Sequence, residues 1–313
     1  MAPALQRILL FIVASVLLTD AVWASFVHFD IDAKSYLAVG VLSAALAGGG
    51  LFYDRVRKDA RLSAMLLATS FLVAFSAGFS VLNYFLLTVA GARIDLFLAQ
   101  ADRAMGFDWP SAMAFMSRHP GPDLVLKIAY QSVLPQIAFL IALLGWKSRC
   151  EEISGLCLAI AVGAMATVFF WTFFPSFGAF AVYRLDPSVA DRLSLALDSR
   201  YANDLLNLLA TGPGHISPHN VKGLIGFPSF HAAMAVMVTW YARRLAYVRW
   251  PVCALNLIVL VSTPIQGGHH VVDVVGGLAV AALAIVLADR IVAAANKTPL
   301  ADSVLREASR AAA

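Results

Sequence analysis

Two short motifs carry the histidines best placed for chemistry. They are Gly226-Phe227-Pro228-Ser229-Phe230-His231 and His269-His270-Val271-Val272-Asp273. Each opens a long apolar run. Ionisable groups at the ends of membrane helices are costly and mostly serve function. The interval from His231 to His269 matches one hairpin across a ~30 Å hydrocarbon core and back, at ~1.5 Å per helical residue. Both motifs are therefore expected at the same membrane face.

In the first motif, Pro228 suits a helix start, having a fixed φ and no N–H to satisfy. The N–H groups of Ser229, Phe230 and His231 would then point outward with the positive end of the helix dipole, which makes an anion site. The Ser229 hydroxyl adds a donor and His231 a proton source. In the second motif, His269 and Asp273 are spaced i, i+4 and share a helix face. A carboxylate on one imidazole nitrogen fixes the tautomer and frees the other as nucleophile or base. His270, three before Asp273, competes for the same carboxylate. His215 and His219 are spaced like metal ligands, but Pro218 breaks any helix between them, and they read as loop residues. No metal and no cofactor is expected.

The elements that must position these groups are membrane helices. Of 313 residues, 60% are apolar and only 13% charged, and the mean hydropathy is +0.78. That excludes a soluble globular domain. The net charge of +4 does not imply nucleic acid, because the basic residues sit in short loops between apolar runs. Cys150, Cys157 and Cys253 form no C-x-x-C pair and imply neither a disulfide framework nor a metal site. Eight runs are long enough to span: Arg7–Val27, Ser35–Tyr53, Leu62–Ala90, Asp123–Trp146, Ile153–Phe174, Pro228–Leu245, Pro251–Gly267 and Val271–Val292. The expectation is an all-α polytopic protein. Residues 1–61 form a two-helix extension, 62–296 a six-helix core, and 297–313 a tail.

Lys and Arg set the orientation. With eight spans, Arg55, Arg57, Lys58 and Arg61, then Lys147 and Arg149, then Arg243, Arg244 and Arg249, then Arg290, Lys297, Arg306 and Arg310 all fall on one side. That side is expected to be cytoplasmic, with both termini, in an inner (plasma) membrane. The motifs then face a periplasm or lumen. Arg7 before an apolar core and Val22-Trp23-Ala24 resemble a signal peptide, but we read the run as a retained anchor. The outward segments Gly91–Gly121 and Pro175–Phe227 are expected to hold interfacial helices, with Pro110 in a first turn and Trp109 in the interface belt.

The motifs resemble those of the type 2 phosphatidic acid phosphatase superfamily, P-S-G-H and S-R-x5-H-x3-D. Here they read Pro228-Ser229-Phe230-His231 and Ser262-Thr263 through His269 to Asp273. The closer likeness is to the inositol phosphorylceramide synthase branch, through F-P-S-x-H, H-H-x-x-D and Gly276-Gly277. It covers roughly Asp95–Ile285.

The resemblance implies a lipid phosphatase or phosphotransferase without a metal. His269 would attack phosphorus, Asp273 orient it, and His231 protonate the leaving oxygen. Water or a lipid alcohol would accept the phosphoryl group from a phospholipid or lipid phosphate. The family's first motif, K-x6-R-P, is missing from the outer end of the fifth run, which reads Phe174-Pro175-Ser176-Phe177-Gly178. Lys127 lies seven before Leu134-Pro135, with leucine in place of arginine and in the fourth run. Arg184 and then Lys222 are expected to supply the missing phosphate contacts. The alternative function is a non-catalytic headgroup carrier or flippase, against which the scarcity of intramembrane charge argues. A serine esterase lacks its G-x-S-x-G elbow.

Overall fold

The computed structural model describes residues 2–27, 29–197 and 199–311. Helix α1 (Pro3–Ala24) starts on a proline, where a missing N–H costs nothing. A two-residue strand β1 (Asp30–Ile31) precedes α2 (Ala33–Phe52), which Asp32 caps by accepting from the Ser35 N–H at 3.1 Å. A π-helical turn at Tyr53–Arg57 leads to α3 (Ala60–Phe85), capped by Asp59. Two short helices follow, α4 (Asp95–Ala104) and α5 (Trp109–Met116). Asp108 caps α5 and Pro110 sits in its first turn.

Helices α6 (Pro120–Gln131) and α7 (Val133–Trp146) meet at a 50° bend. Pro135 accounts for it, because its ring obstructs the carbonyl four residues back, that of Gln131. Helix α8 (Cys150–Phe173) is the central post, buried along most of its length. The long connection after it holds α9 (Pro187–Ala190), α10 (Ser199–Thr211) and β2 (His215–Ile216). The last three helices are α11 (Phe230–Ala242), α12 (Arg249–Gln266) and α13 (Val271–Ala311).

The protein is an all-α polytopic membrane protein. Among the described residues, five helices are long and apolar enough to cross a bilayer: α1, α2, α3, α8 and α13. The bent α6–α7 pair makes six. The eight runs of the sequence are all helical, but α11 has only 13 residues and α12 only 18, with Pro264 inside. At ~1.5 Å per residue α11 is about 20 Å long, short of a ~30 Å core. Helix α13 runs on to Ala311 without a break at the expected tail.

Helices α1 and α2 pack on α3, and Leu5, Leu9 and Val16 of α1 belong to the same buried cluster as α8. On the motif side, β1 and β2 pair in parallel, Asp30 with His215 and Ile31 with Ile216. His215 Nδ1 lies 2.7 Å from Asp30, and Ser217 donates to Asp32 at 2.9 Å. The sequence reading expected no such pair.

Trp109 departs from expectation. It is 1% exposed, donates from Nε1 to the Pro264 carbonyl at 2.8 Å, and packs against Phe180 and Tyr183. It serves the core. The interface belt is reserved for indoles that keep one end wet.

The topology has a direct test. With the three native cysteines replaced by alanine, Ser111→Cys and Asp191→Cys are expected to react with an impermeant thiol reagent added to intact cells. Tyr247→Cys, on the opposite side at 96% exposure, is expected to react only after lysis. Reversed labelling would overturn the assignment of the motif side as outward.

Candidate active site

The two motifs meet because the start of α11 crosses the start of α13. Ser229 is the N-cap of α11, and its hydroxyl accepts from the Ala232 N–H at 3.3 Å. Its own N–H donates to the Asp273 carbonyl at 2.9 Å. The crossing needs Gly276 and Gly277. A Cβ on Gly276 would fall 2.6 Å from the Phe227 ring, and one on Gly277 would fall 2.4 Å from the Ser229 carbonyl oxygen.

This geometry corrects the expected anion cradle. Pro228, after a cis peptide bond, precedes the cap, and Phe230 is the first helical residue. The Ser229 N–H is spent on Asp273. The N–H groups of Phe230 and His231 fall in the first turn, where no intrahelical partner exists, and have none among the described residues.

His269 is 7% exposed and Asp273 fully buried. His269 Nδ1 lies 3.0 Å from Asp273 Oδ2. A carboxylate only accepts, so Nδ1 carries the proton and Nε2 keeps its lone pair. Nε2 stands 3.4 Å from Ser229 Oγ. His231 stacks on Tyr130 with centroids 4.0 Å apart, and its Nε2 lies 2.6 Å from the Tyr130 carbonyl oxygen. That carbonyl also only accepts, so Nε2 bears hydrogen and Nδ1 is left to take or give a proton.

His270 belongs elsewhere. It does not compete for Asp273 through its ring, whose Nδ1 lies 3.3 Å from Asp102 of α4. Its backbone N–H donates to Asp273 Oδ2 at 2.9 Å. Burial opposes a charge on His270, but the hydrogen bond to Asp102 and the carboxylates of Asp273, Asp102 and Asp95 outweigh it and raise its pKa.

Three buried carboxylates outside the motifs hold this frame, and the sequence reading missed all three. Asp102 accepts from the Val271 and Val272 N–H groups, each at 3.0 Å, and so caps α13 from another helix. Asp95 accepts from the N–H groups of Phe177 at 2.6 Å and Gly178 at 3.1 Å, with Arg93 as its ion partner. Asp123 accepts from Ser194 and from Gln266 Nε2, tying the post-α8 connection to the end of α12. The Phe177-Gly178 turn then presses on the second motif. Gly178 has φ +82°, and a Cβ there would lie 2.3 Å from the Gly268 carbonyl oxygen, which accepts from the Ala179 N–H at 2.6 Å.

A cavity of about 190 Å³ opens beside these groups, lined by Tyr130, Gly178, Gly226, Phe230, His231 and His269, among others. No lysine or arginine lines it among the described residues. Arg184 is exposed and lines a neighbouring cavity of about 720 Å³ that contains none of the motif residues. Lys222 is ion-paired with Asp204. Thr263, where the resemblance places an arginine, is buried and hydrogen-bonded to the Val259 carbonyl. The Lys127–Pro135 segment reaches the site: the bend after Gln131 brings Tyr130 into the cavity. Lys127 shares the helix face of Asp123 and Tyr130, at i, i+4 and i+7. Among the described residues no cluster of histidine, cysteine and carboxylate side chains has the makings of a metal site.

Residues 96–287 match the family model described as PAP2 superfamily. That is more than half of the chain, and the chain belongs to this superfamily. Its members are generally phosphatases, which supports a lipid-phosphatase-type function. Neither the curated proteins nor the solved structures contain a match.

The Asp102 cap gives a measurable prediction. Asp102→Ala would leave the buried His270 Nδ1 and the part-buried N–H groups of Val271 and Val272 without partners. At about 1–3 kcal/mol for each unsatisfied group, a loss on the order of 3 kcal/mol is expected. Thermal unfolding in detergent checks it, and Asp102→Asn, which keeps one acceptor oxygen, is expected to recover part.

Proposed function

We propose that the protein is an integral-membrane lipid phosphoesterase working through a phosphohistidine at His269, with its site at the outer face. The observation that carries the reading is the state of His269. Its Nδ1–H is held by a buried carboxylate, and its free Nε2 faces Ser229 at the wall of a cavity beside a helix start.

In the first step the Nε2 lone pair attacks phosphorus and the bond from phosphorus to the lipid oxygen breaks. Burial disfavours a charge on His231, so it takes up a proton only as the anionic phosphate binds beside it, and then gives its Nδ1 proton to the departing oxygen. Asp273 balances the charge that grows on His269. In the second step a water or lipid-alcohol oxygen attacks the phosphohistidine and its proton passes to His231 Nδ1. The bond from nitrogen to phosphorus then breaks and restores His269. Hydrolysis and inositol phosphorylceramide synthase-like transfer both pass through a nitrogen–phosphorus bond at His269; in the transfer the phosphoryl group keeps its headgroup and a lipid alcohol takes the place of water. No step needs a metal, so activity is expected to survive EDTA.

The transferring group spreads negative charge over its oxygens. The Phe230 and His231 N–H groups meet it first, and the buried Ser229 hydroxyl stands behind them beside His269 Nε2. Of the cations, Lys127 is favoured by its helix face. Arg184 reaches the cavity only by crossing from the adjacent one, and Lys222 only by leaving Asp204.

Three outcomes test the reading. His269→Ala is expected to abolish both turnover and an acid-labile phosphoenzyme; near wild-type activity would remove His269 from the chemistry. Asp273→Asn is expected to slow both steps, and His231→Ala to let phosphoenzyme form only from substrates with good leaving groups. Lys127→Ala is expected to lower turnover on the order of 10²–10³-fold, as for one strong transition-state donor, with smaller losses for Arg184→Ala and Lys222→Ala. Incubation with radiolabelled glycerophospholipid, with and without ceramide or diacylglycerol, separates free phosphate from a new phospholipid.

A further inference from the structure

A second cavity, of about 580 Å³, lies on the membrane flank of the catalytic one. Helices α3, α7 and α8 form its walls, with Phe75, Ile137, Ile141 and Ala164 among the lining residues. Val221–Ile225 closes its outer end. Its size falls within the usual ~300–1,000 Å³ of small-molecule sites. It is open toward the bilayer at Leu134 and Ala138, both exposed on the outer surface of α7.

Two observations say what it holds. First, it adjoins the catalytic cavity: Gly223, Ile225, Phe230 and Met234 line both. The Phe230 ring, standing where the resembling motif has glycine, forms the partition. Second, Asn83 lines the groove at 8% exposure, and its buried Oδ1 has no hydrogen-bond partner among the described residues. A buried amide oxygen left unpaired is costly. In a groove this apolar, a matching ligand carries an O–H or N–H donor at the polar end of an aliphatic tail.

We propose that this groove is the seat of a lipid alcohol. Its tail lies between α3, α7 and α8, its donor is on Asn83 Oδ1, and Phe230 and Met234 separate it from His269. The assignment rests on the phosphoesterase reading for its role but not for its occupancy. Two sources share this chemistry: the alcohol released when the phosphoester is cleaved, and an incoming alcohol that accepts the phosphoryl group.

The test uses the purified full chain in detergent, with a long-chain alcohol bearing a diazirine in its tail, and the matching alkane. Photolabelled peptides are expected to concentrate on α3, α7 and α8. Ala138→Trp, which fills the open side, is expected to lower the label by about tenfold, equivalent to 1.4 kcal/mol of affinity. Phe139→Trp, lipid-facing on the same helix but outside the groove, serves as the control and is expected to change little. Asn83→Leu is expected to bring alcohol and alkane labelling to similar levels. Label spread evenly over lipid-facing helices, or indifferent to Ala138→Trp, would overturn the proposal. Turnover assays with added lipid alcohol separate the sources. A new lipid phosphoester marks an acceptor, and slower phosphate release alone marks a product; an active enzyme indifferent to the alcohol would disconnect the groove from the site. Groove labelling without any phosphoester turnover would instead count against the phosphoesterase reading.

Discussion

The structure depends on one close crossing, that of the α11 start over the first turn of α13. A single hydrogen bond, Ser229 N–H to the Asp273 carbonyl at 2.9 Å, sets the register between the two motifs. Two consecutive glycines on α13 let the backbones approach that far. From this crossing follow the 3.4 Å approach of His269 Nε2 to Ser229 Oγ and the position of His231 one residue into α11. A side chain at either glycine would separate the helices and with them His269 from its neighbours. In a bilayer, where helices gain little from excluding water, small residues at contacts are the main means to such proximity.

The rest of the frame is polar and lies on the motif side. Asp95, Asp102 and Asp123 are each 1% exposed and each accepts hydrogen bonds from a different distant segment. They act as fasteners between short helices that lack the apolar area to hold themselves. A buried carboxylate is tolerated when its lone pairs are met by several donors. One of these ties explains why Phe177 and Gly178 carry no free N–H groups into the cavity: Asp95 has already claimed them.

The sequence was most legible where chemistry is local. The i, i+4 pair His269–Asp273 and the place of Pro110 in the first turn of a short helix are readable from spacing alone, and the structure has them. Long-range partners were not. Nothing in the residues around Asp102 says that it caps a helix far along the chain, and Trp109 reads as an interface residue until Pro264 is found beneath it. The Lys127–Pro135 segment does not read as the first motif, because Leu134 stands where arginine is required and the segment lies in the fourth run. The Pro135 bend, a tertiary consequence of a local residue, brings it to the site. Arg184 and Lys222 were chosen by chain proximity, which carries no information about which wall of which cavity a long side chain joins.

The backbone around Asp273 also explains how its carboxylate persists at this depth. In α13, His270 stands at the N-cap position and Asp273 at N3. The Asp273 carboxylate reaches back to the His270 N–H at 2.9 Å, the reciprocal half of a capping box. The other half, ordinarily a serine or threonine side chain at the cap, is supplied by Asp102 from α4. Two carboxylates therefore meet at the positive end of one helix dipole, where negative charge is stabilised. Asp273 Oδ2 is shared between capping the helix and orienting His269 Nδ1. Moving the carboxylate to release the histidine would uncap the helix as well, so the His269 tautomer is tied to the stability of the span that carries it.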